Sequence, residues 1–341
     1  MRLPVDIDGS RGEGGGQVLR TALALSIVTG RRLRMKRIRA GRKRPGLHRQ
    51  HLACVEAAAR LCGGATSALE LGAQDLTFTP GSAWPSELAI DIGSAGSAML
   101  VVQTILVPAI AAGKPVRATI TGGTHNPLSP PFDFLDRVFL PRLRAMGGDV
   151  ALALDRHGVI PDGGGQVTLE VRPGGALRPI EIVEGGAVVG SRAIAIVASL
   201  PRHIAERELA VARERLGDPR GEIVELRDCG PTNLFMAEVE LASGARELCT
   251  AHGRKGYPAE DVADDALDDL EDYLDAGAPV GEMLADQLLL PMAVAGGGRF
   301  RTAGPLSDHA TTNIDTIRAF LDVPIRIEPV GDSALLDVIV G

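Results

Sequence analysis

Apolar residues recur every three or four positions in six stretches of the chain, which predicts buried or amphipathic helices. The predicted helices are Gln17–Val28, Gly46–Cys62, Ala98–Ala111, Phe132–Met146, Gly281–Ala295 and Asp308–Leu321. Five of them are followed within two residues by a glycine, which is the residue preferred at a left-handed helix C-terminus. Short apolar runs follow three of these glycines and predict strands: Leu33–Met35, Val116–Ala118 and Arg299–Thr302.

The same order of elements recurs along the chain. The step from Ser10 to Ser94 equals the step from Gly63 to Gly147, and these two glycines close later helices. The third copy is displaced, because the step from Gly113 to Gly297 is more than twice the step from Gly30 to Gly113. We therefore predict an α/β (α+β) fold of three βαβαββ-type repeats, with an insert interrupting the third repeat.

The insert is assigned to residues 185–278, and the large domain to residues 1–184 and 279–341. The repeats are placed at about 1–80, 81–172, and 173–184 plus 279–341. The insert is predicted to be a small separate α/β domain with these elements: strand Arg192–Ala198, helix Pro201–Leu216, strands Glu222–Arg227 and Asn233–Leu241, and helix Glu260–Asp275. We expect a chain without the insert to fold.

Composition excludes several classes of protein. Hydrophobic residues make up 45% and charged residues 23% of the 341 residues, which is typical of globular chains and not of disordered or coiled-coil chains. The four cysteines form no C-x-x-C pair, so neither a zinc ribbon nor a disulfide framework is indicated. The sequence shows no signal-peptide pattern and no run long enough to span a bilayer, so we expect a cytoplasmic protein without membrane contact.

Charge is strongly segregated although the net charge is only -7. The segment Arg31–His51 contains ten Lys or Arg residues and no acid. Such a segment can attract a chain of phosphates, or it can be a solvated strand edge. The segment Glu260–Asp275 is the acidic extreme and is interpreted as an amphipathic helix with a solvated face.

Two glycine-rich segments invite a nucleotide-binding interpretation. In Gly12-Glu13-Gly14-Gly15-Gly16-Gln17 the third glycine of a dinucleotide motif is replaced by Gln17, and no P-loop lysine follows. The segment either opens a helix whose free N–H groups bind an anion, or is a tight turn between strand and helix. Gly163–Gln166 is interpreted as a hairpin turn.

No two of the seven histidines have the H-E-x-x-H spacing of a zinc hydrolase. His309 has the most suggestive context, because it lies in the first turn of a predicted helix after Ser307 and Asp308, either of which can cap it. The imidazole is a candidate nucleophile at an anion-binding helix end, or a residue that helps to cap the helix.

Five motifs in order resemble the RNA 3'-terminal phosphate cyclase family, and the likeness runs nearly from end to end. The motifs are Arg11–Gln17, Arg44–His48, Gly122–Asn126, Ala285–Pro291 and Asp308–Ala310. The resemblance implies repeats like the C-terminal domain of a translation initiation factor plus a small inserted domain. It also implies an enzyme that uses ATP and a divalent metal (Mg or Mn) to convert an RNA 3'-phosphate into a 2',3'-cyclic phosphate, with release of AMP and diphosphate.

The resemblance assigns roles to residues by position. His309 matches the catalytic nucleophile that would carry AMP as a phosphoramidate, and Glu13 matches the metal-associated glutamate. The nucleotide-binding positions fall on Gln103, Pro130, Phe134, Met283, Leu284, Ala285, Asp286 and Gln287. The positions facing the substrate phosphate fall on Arg20, Arg39, Arg42, Gln50 and His51, of which His51 is alternatively a packed core residue. Relatives often carry an aromatic residue where this chain has Met283.

The implied partner is RNA with a 3'-phosphate end; DNA ends are left open as a second substrate, and no obligate protein partner is evident. Two other functions compete. One is that of the noncatalytic ribosome-biogenesis relatives of the cyclases, against which His309 argues. The other is that of an enolpyruvyl transferase, which uses related repeats and no ATP.

Overall fold

The computed structural model describes residues 3–67, 69–227 and 229–341. It shows a mixed α/β fold, as the sequence predicted. Three four-stranded sheets lie in the parts of the chain on either side of residues 185–278. The first contains β1 (Val5–Asp8), β2 (Leu33–Lys36), β3 (Ala65–Thr66) and β4 (Leu76–Thr79). The second contains β5 (Glu87–Asp91), β6 (Val116–Gly122), β7 (Val150–Arg156) and β8 (Gly165–Val171). The third contains β9 (Glu181–Ile182), β14 (Gly298–Ala303), β15 (Ile325–Pro329) and β16 (Leu335–Val340).

These three sheets share one strand order. In each sheet the first strand in chain order pairs in parallel with the second, the second pairs antiparallel with the fourth, and the fourth pairs antiparallel with the third. In the third sheet the two parallel strands, β9 and β14, are far apart in the chain. A parallel pair always needs a crossover connection, and here residues 183–297 provide it.

Helices cover these sheets and pack against one another. They are α1 (Gly16–Thr29), α2 (Arg49–Cys62), α3 (Ala98–Ala112), α8 (Glu282–Ala295) and α9 (Asp308–Phe320). Where one helix was predicted over Phe132–Met146, the chain forms α4 (Phe132–Phe134), a π-helical turn (Leu135–Phe139) and α5 (Leu140–Ala145). Helix α1 is central, since it contacts α2, α3 and α9. Gly30 and Gly113 end α1 and α3 with φ of 67° and 62°, as glycine at a helix C-terminus allows.

Residues 185–278 form a fourth sheet of different strand order, flanked by two helices. The strands are β10 (Val188–Ala198), β11 (Arg220–Leu226), β12 (Thr232–Leu241) and β13 (Arg246–His252), in the order β11-β10-β12-β13. The helices are α6 (His203–Leu216) and α7 (Ala259–Ala276), and both lie on one face of this sheet. Strand β13 was not predicted from the sequence.

The two faces of the fourth sheet belong to different cores. Alternate residues of β10 and β12, such as Ala195, Phe235 and Ala237, pack with α6 and α7. The residues between them, on the opposite face, join the main core of the protein: Ile194, Ile196, Leu234 and Met236, together with Leu248 of β13. The sheet is therefore buried on both sides, and the main core continues into the insert.

Polar contacts also join the insert to the rest of the chain. Arg137, in the π-helical turn, donates two hydrogen bonds to the buried carboxylate of Glu238, one of them over 2.7 Å. Arg142 donates to the carbonyl oxygen of Gly244. Among the described residues, no helix combines the length and the apolar character needed to span a bilayer.

Candidate active site

The N-termini of α1 and α9 meet, although these helices lie near opposite ends of the chain. The backbone N–H of Glu13 donates to Thr312 Oγ1 over 2.9 Å, and Thr21 Oγ1 donates to Asn313 Oδ1 over 2.9 Å. Gly12 has φ of +61°, and a Cβ there would lie 2.2 Å from Thr312 Oγ1, so only glycine fits this approach. Each helix N-terminus is the positive end of a helix dipole, so the meeting of the two favours an anion nearby.

A chain of hydrogen bonds orients His309 at this junction. His309 Nδ1 lies 2.7 Å from Gln17 Oε1, and Gln17 Nε2 donates to Asp286 Oδ1. Since the Gln17 oxygen can only accept, Nδ1 of His309 carries the proton and Nε2 holds the free lone pair. Asn313 Nδ2 donates to both the backbone oxygen and Oδ1 of Asp286, each over 2.9 Å, which fixes the carboxylate. The His309 side chain is 54% exposed, so Nε2 can reach a ligand.

Burial raises the pKa of Asp286 above its usual value, although hydrogen bonds from Asn313 and Gln17 and the charges of His309 and Arg20 act in the opposite direction. Burial also lowers the pKa of the neighbouring Arg20 guanidinium, although the charges of Cys54 and Asp286 act to raise it. The Asp286 carboxylate thus terminates the hydrogen-bond chain that holds the imidazole, a common way of setting the tautomer of a reactive histidine.

Glu13 lies beside His309. Its Oε1 is 4.0 Å from His309 Nε2 and also pairs with the guanidinium of Arg42, which donates a further 3.2 Å hydrogen bond to the Glu13 carbonyl oxygen. Glu13 Oε2 is buried and has no hydrogen-bond partner within the described ranges. A buried, unpartnered carboxylate oxygen is costly unless a ligand satisfies it, so Glu13 could hold a cation.

One cavity of about 570 Å³ is lined by every residue that the sequence assigned to the substrate phosphate: Arg20, Arg39, Arg42, Gln50 and His51. Glu13 and His309 line the same cavity. So do Arg49, Ser94 and Gly96, for which sequence reasoning assigned no role. Arg49 belongs to the basic segment, and its position directly before Gln50 was the available signal.

The basic segment serves two purposes in the structure. Several of its arginines have structural partners at the surface: Arg34 pairs with Asp6, Arg37 with Asp8, and Arg31 donates to the carbonyl oxygens of Ala319 and Phe320. Arg39 and Arg42 turn into the cavity instead, and Arg39 Nη1 also donates to the carbonyl oxygens of Arg44 and Gly46 over 2.8 and 3.0 Å. Any phosphate-binding surface of the segment is therefore confined to the part that borders the cavity.

His51 is both buried and directed at the cavity, so the two interpretations of it are compatible. Its Nδ1 accepts a 3.1 Å hydrogen bond from the backbone N–H of His48, which leaves the proton on Nε2, next to Gly16. Burial, followed by the charges of Arg39, Arg20 and His48, lowers the pKa of His51 to about 3. His51 is thus neutral at neutral pH, adds no positive charge to the cavity and presents an N–H that can donate a hydrogen bond.

A second cavity, of about 1140 Å³, meets the first at His309, Gln17 and Arg20, which line both. Six of the positions assigned to the nucleotide line it: Gln103, Pro130, Met283, Ala285, Asp286 and Gln287. The loop that carries Pro130 is held by buried His125, whose Nε2 lies 2.9 Å from Asp133 Oδ2.

Leu284 and Phe134 do not line this cavity. Both side chains are fully buried in the main core. Leu284 lies one turn before Leu288 on the apolar side of α8, so its neighbours in sequence face the cavity while it faces inward. Phe134 points inward from α4, so of the two residues assigned to that side only Pro130 lines the cavity, together with its neighbours from Asn126 to Pro131.

The insert contributes a wall of the larger cavity, which sequence reasoning did not foresee. Its lining residues come from β13 and α7: Glu247, Leu248, Cys249, Thr250, His252, Asp269, Asp272, Tyr273 and Ala276. Strand β13 was not predicted because a polar residue, Glu247, occupies one of its buried positions. The segment therefore lacks the alternation of apolar and polar residues that marks a half-buried strand.

Comparison with known proteins gives concordant matches. The family model "RNA 3'-terminal phosphate cyclase" matches residues 11–327. The RNA 3'-terminal phosphate cyclase of Pseudomonas fluorescens is 48% identical over 97% of this chain and 96% of that protein. The RNA 3'-terminal phosphate cyclase of Koribacter versatilis is 46% identical over 94% of this chain and 91% of that protein. A solved structure, the enolpyruvyl transferase NikO from Streptomyces tendae, is 13% identical, covers 99% of this chain and 82% of its own, and has a TM-score of 0.28, which carries no argument.

Proposed function

The chain belongs to the RNA 3'-terminal phosphate cyclase family and is an enzyme, and we propose that it uses ATP to convert an RNA 3'-phosphate into a 2',3'-cyclic phosphate through an AMP adduct of His309. One observation carries this proposal. His309 stands where the larger cavity, lined by six of the positions assigned to the nucleotide, meets the smaller cavity, lined by the positions assigned to the substrate phosphate, and its Nδ1 is tied to Gln17. A scaffold protein has no need of a histidine held in this tautomer.

In the first step, His309 Nε2 attacks the α-phosphorus of ATP. A P–N bond forms, the bond to the oxygen that bridges the α- and β-phosphates breaks, and diphosphate leaves. The imidazole becomes positively charged as it reacts. Gln17 accepts the Nδ1 proton in a hydrogen bond and is itself tied to Asp286, so the carboxylate stabilises this charge through the amide.

In the second step, an oxygen of the RNA 3'-phosphate attacks the phosphorus of the adduct, the P–N bond breaks and His309 is released. In the third step, the neighbouring 2'-hydroxyl attacks the terminal RNA phosphorus, loses its proton and expels AMP. Arg20, Arg39, Arg42 and neutral His51 would hold the RNA phosphate in the smaller cavity during both steps. Charge-assisted hydrogen bonds of this kind position the reacting phosphate and stabilise its developing charge.

Glu13 fits a role in holding a divalent metal, because its buried Oε2 lacks a hydrogen-bond partner among the described residues, its Oε1 lies 4.0 Å from His309 Nε2, and the residue lines the smaller cavity. The described residues contain no group of three or more His, Cys, Asp or Glu side chains placed to bind a metal ion. Mg²⁺ commonly uses one or two carboxylates together with substrate phosphates and water, which agrees with a single glutamate. A metal there would supply neutralisation of phosphate charge.

The experiment that tests this function uses two oligonucleotides that differ in one atom. An RNA with a 3'-phosphate should yield a 2',3'-cyclic end and free AMP when incubated with the enzyme, ATP and Mg²⁺ or Mn²⁺. The same RNA with a 2'-deoxy terminal nucleotide should accept AMP and stop there, because no hydroxyl can close the ring. Mass spectrometry of the ends distinguishes these products. Release of AMP together with a cyclic phosphate on the deoxy-ended RNA would contradict the scheme. So would a deoxy-ended RNA that never acquires AMP.

The phosphate-binding role of Arg39 and Arg42 predicts a step-specific defect. In R39A/R42A, transfer of AMP to RNA should fall about 100-fold, because each charge-assisted hydrogen bond that is removed is worth about 1.5–3 kcal/mol. Formation of the AMP adduct should change far less. The slope of log K for RNA binding against log salt should also become shallower by about 0.7 for each phosphate that is no longer neutralised.

A matched control is R32A/K36A, which removes the same charge from the same basic segment at two exposed positions of or beside β2 that do not line the cavity. Its RNA transfer rate should stay near that of the native enzyme. Urea unfolding of both variants checks that the loop braced by Arg39 is intact. Equal losses in the two double variants would show that the segment acts only through its overall charge.

A further inference from the structure

The two ends of the larger cavity differ in charge. Arg20 lies at one end with the N-termini of α1 and α9, beside His309. The wall supplied by the insert and the start of α8 carries three acids instead, Asp269, Asp272 and Glu282, in addition to the buried Glu247. A triphosphate is attracted to the first end and repelled from the second. A nucleotide whose α-phosphate lies at His309 therefore directs its base toward the insert.

Glu247 stands out in that wall. Its side chain is almost fully buried, with 6% exposure, and its Oε2 has no hydrogen-bond partner in the part of the chain that the structure describes. The carboxyl group lies against the start of α8, where a Cβ on Gly281 would be 2.0 Å from Oε2. Two residues further along the chain is Met283, whose exposed side chain lines the same cavity.

No cation compensates Glu247 among the residues that the structure describes. The titratable groups that act on it or feel its charge are Cys249 of its own strand and Tyr273 of α7, and Asp269 of α7 acts on Cys249 in turn. Burial raises the pKa of Glu247 to about 8, partly offset by the backbone N–H groups of Leu248 and Gly281. A carboxyl group buried at such cost in a cavity wall, with acceptor positions that these two N–H groups do not fill, indicates a ligand that supplies a donor.

We propose that Glu247 accepts a hydrogen bond from the 6-amino group of adenine, so that the inserted segment selects the base of the nucleotide; this rests on the proposed use of ATP. In either protonation state a carboxyl group keeps an oxygen that accepts. A purine without the 6-amino group leaves that oxygen unpaired in a buried site. Sites built to bind a polar group reject analogues that lack it far more strongly than apolar pockets reject a missing methyl group.

The test compares ATP with purine riboside 5'-triphosphate, which lacks only the amino group. The readout is the rate constant for adduct formation per unit nucleotide concentration. The native enzyme should favour ATP by about tenfold or more, as expected for one hydrogen bond to a buried carboxyl group. E247A should lose this preference and treat the two nucleotides alike, while E247Q, whose amide oxygen still accepts, should keep most of it.

D275A is the matched control, because Asp275 is an exposed acid of the insert, on α7, and does not line the cavity. It should keep the native preference for ATP. Urea midpoints of all variants check folding. The proposal is overturned if E247A retains the preference, or if E247A impairs both nucleotides equally.

Failure of the proposed function would look different from failure of this inference. If the native enzyme forms no covalent adduct with either nucleotide, the chemistry assigned to His309 is wrong. Equilibrium binding of ATP and purine riboside triphosphate to the native enzyme and to E247A would still decide the role of Glu247. Equal affinities of the native enzyme for both nucleotides would overturn it.

Discussion

Replacing His309 by alanine should abolish the covalent AMP adduct and reduce RNA cyclisation by at least about 1,000-fold, since loss of the nucleophile removes the first bond-forming step. The larger and the smaller cavity should keep their shape, because the His309 side chain is half exposed and only its Nδ1 is tied to Gln17. ATP should therefore still bind H309A. The measurement is incubation with ATP labelled at the α-phosphate, followed by denaturing electrophoresis.

The matched control is H203A, which makes the same substitution at an exposed histidine at the start of α6, away from both cavities. It should label like the native enzyme. The native adduct should be lost in acid and survive alkali, as a phosphoramidate does. Labelling of H309A at the native level would transfer the nucleophile to another residue.

Replacing residues 185–278 by a short Gly/Ser linker should prevent cooperative folding. This reverses the expectation from the repeat period, and the reason is the shared core. Five large apolar side chains of the insert pack into the main core, and burial of each is worth about 1.5–3 kcal/mol. Their removal would uncover an equivalent surface on the remainder, a loss on the order of the whole stability of a domain. Circular dichroism during urea unfolding is the measurement.

An insoluble deletion variant would not show which contacts are responsible, so a pair of point variants tests the same junction between the insert and the rest of the chain. E238Q weakens the buried pairing with Arg137 across the junction and should lower the free energy of unfolding by about 3 kcal/mol. E240Q alters a partly exposed pair with Arg246 within the insert and should cost less than about 1 kcal/mol. A soluble deletion variant that unfolds cooperatively and still forms the adduct would show that the insert is a separate domain after all.

Much of the fold could be predicted because its signals are local. Helical periodicity and terminal glycines placed α1, α2, α3 and α8 close to their observed ends, and Gly163 and Gly164, both with positive φ, do lie in the connection between antiparallel β7 and β8. Packing between distant segments leaves no such local signal. The sequence predicts a separable insert, because it does not show that alternate residues of β10 and β12 face two different cores.

The candidate site divides in the same way. The residues that the resemblance assigned to the substrate phosphate all line one cavity, because a shared motif implies a shared local backbone and hence similar side-chain positions. The resemblance also assigned Leu284 and Phe134 to the nucleotide, but both side chains are buried in the core. Gln17 was interpreted only as the residue that breaks a dinucleotide motif, yet its amide links Asp286 to His309 across most of the length of the chain. No spacing rule could reveal that link.

The most direct test of the account is the location of AMP on the protein. The native enzyme, labelled with ¹⁵N in its histidine rings and incubated with ATP and Mg²⁺ without RNA, would be digested at alkaline pH. Mass spectrometry of the peptides would then identify the modified residue, and phosphorus–nitrogen coupling in NMR spectra the ring nitrogen. We predict one AMP on His309, bonded to Nε2, because Gln17 holds the proton on Nδ1. AMP on any other residue, or on Nδ1 of His309, would contradict the account.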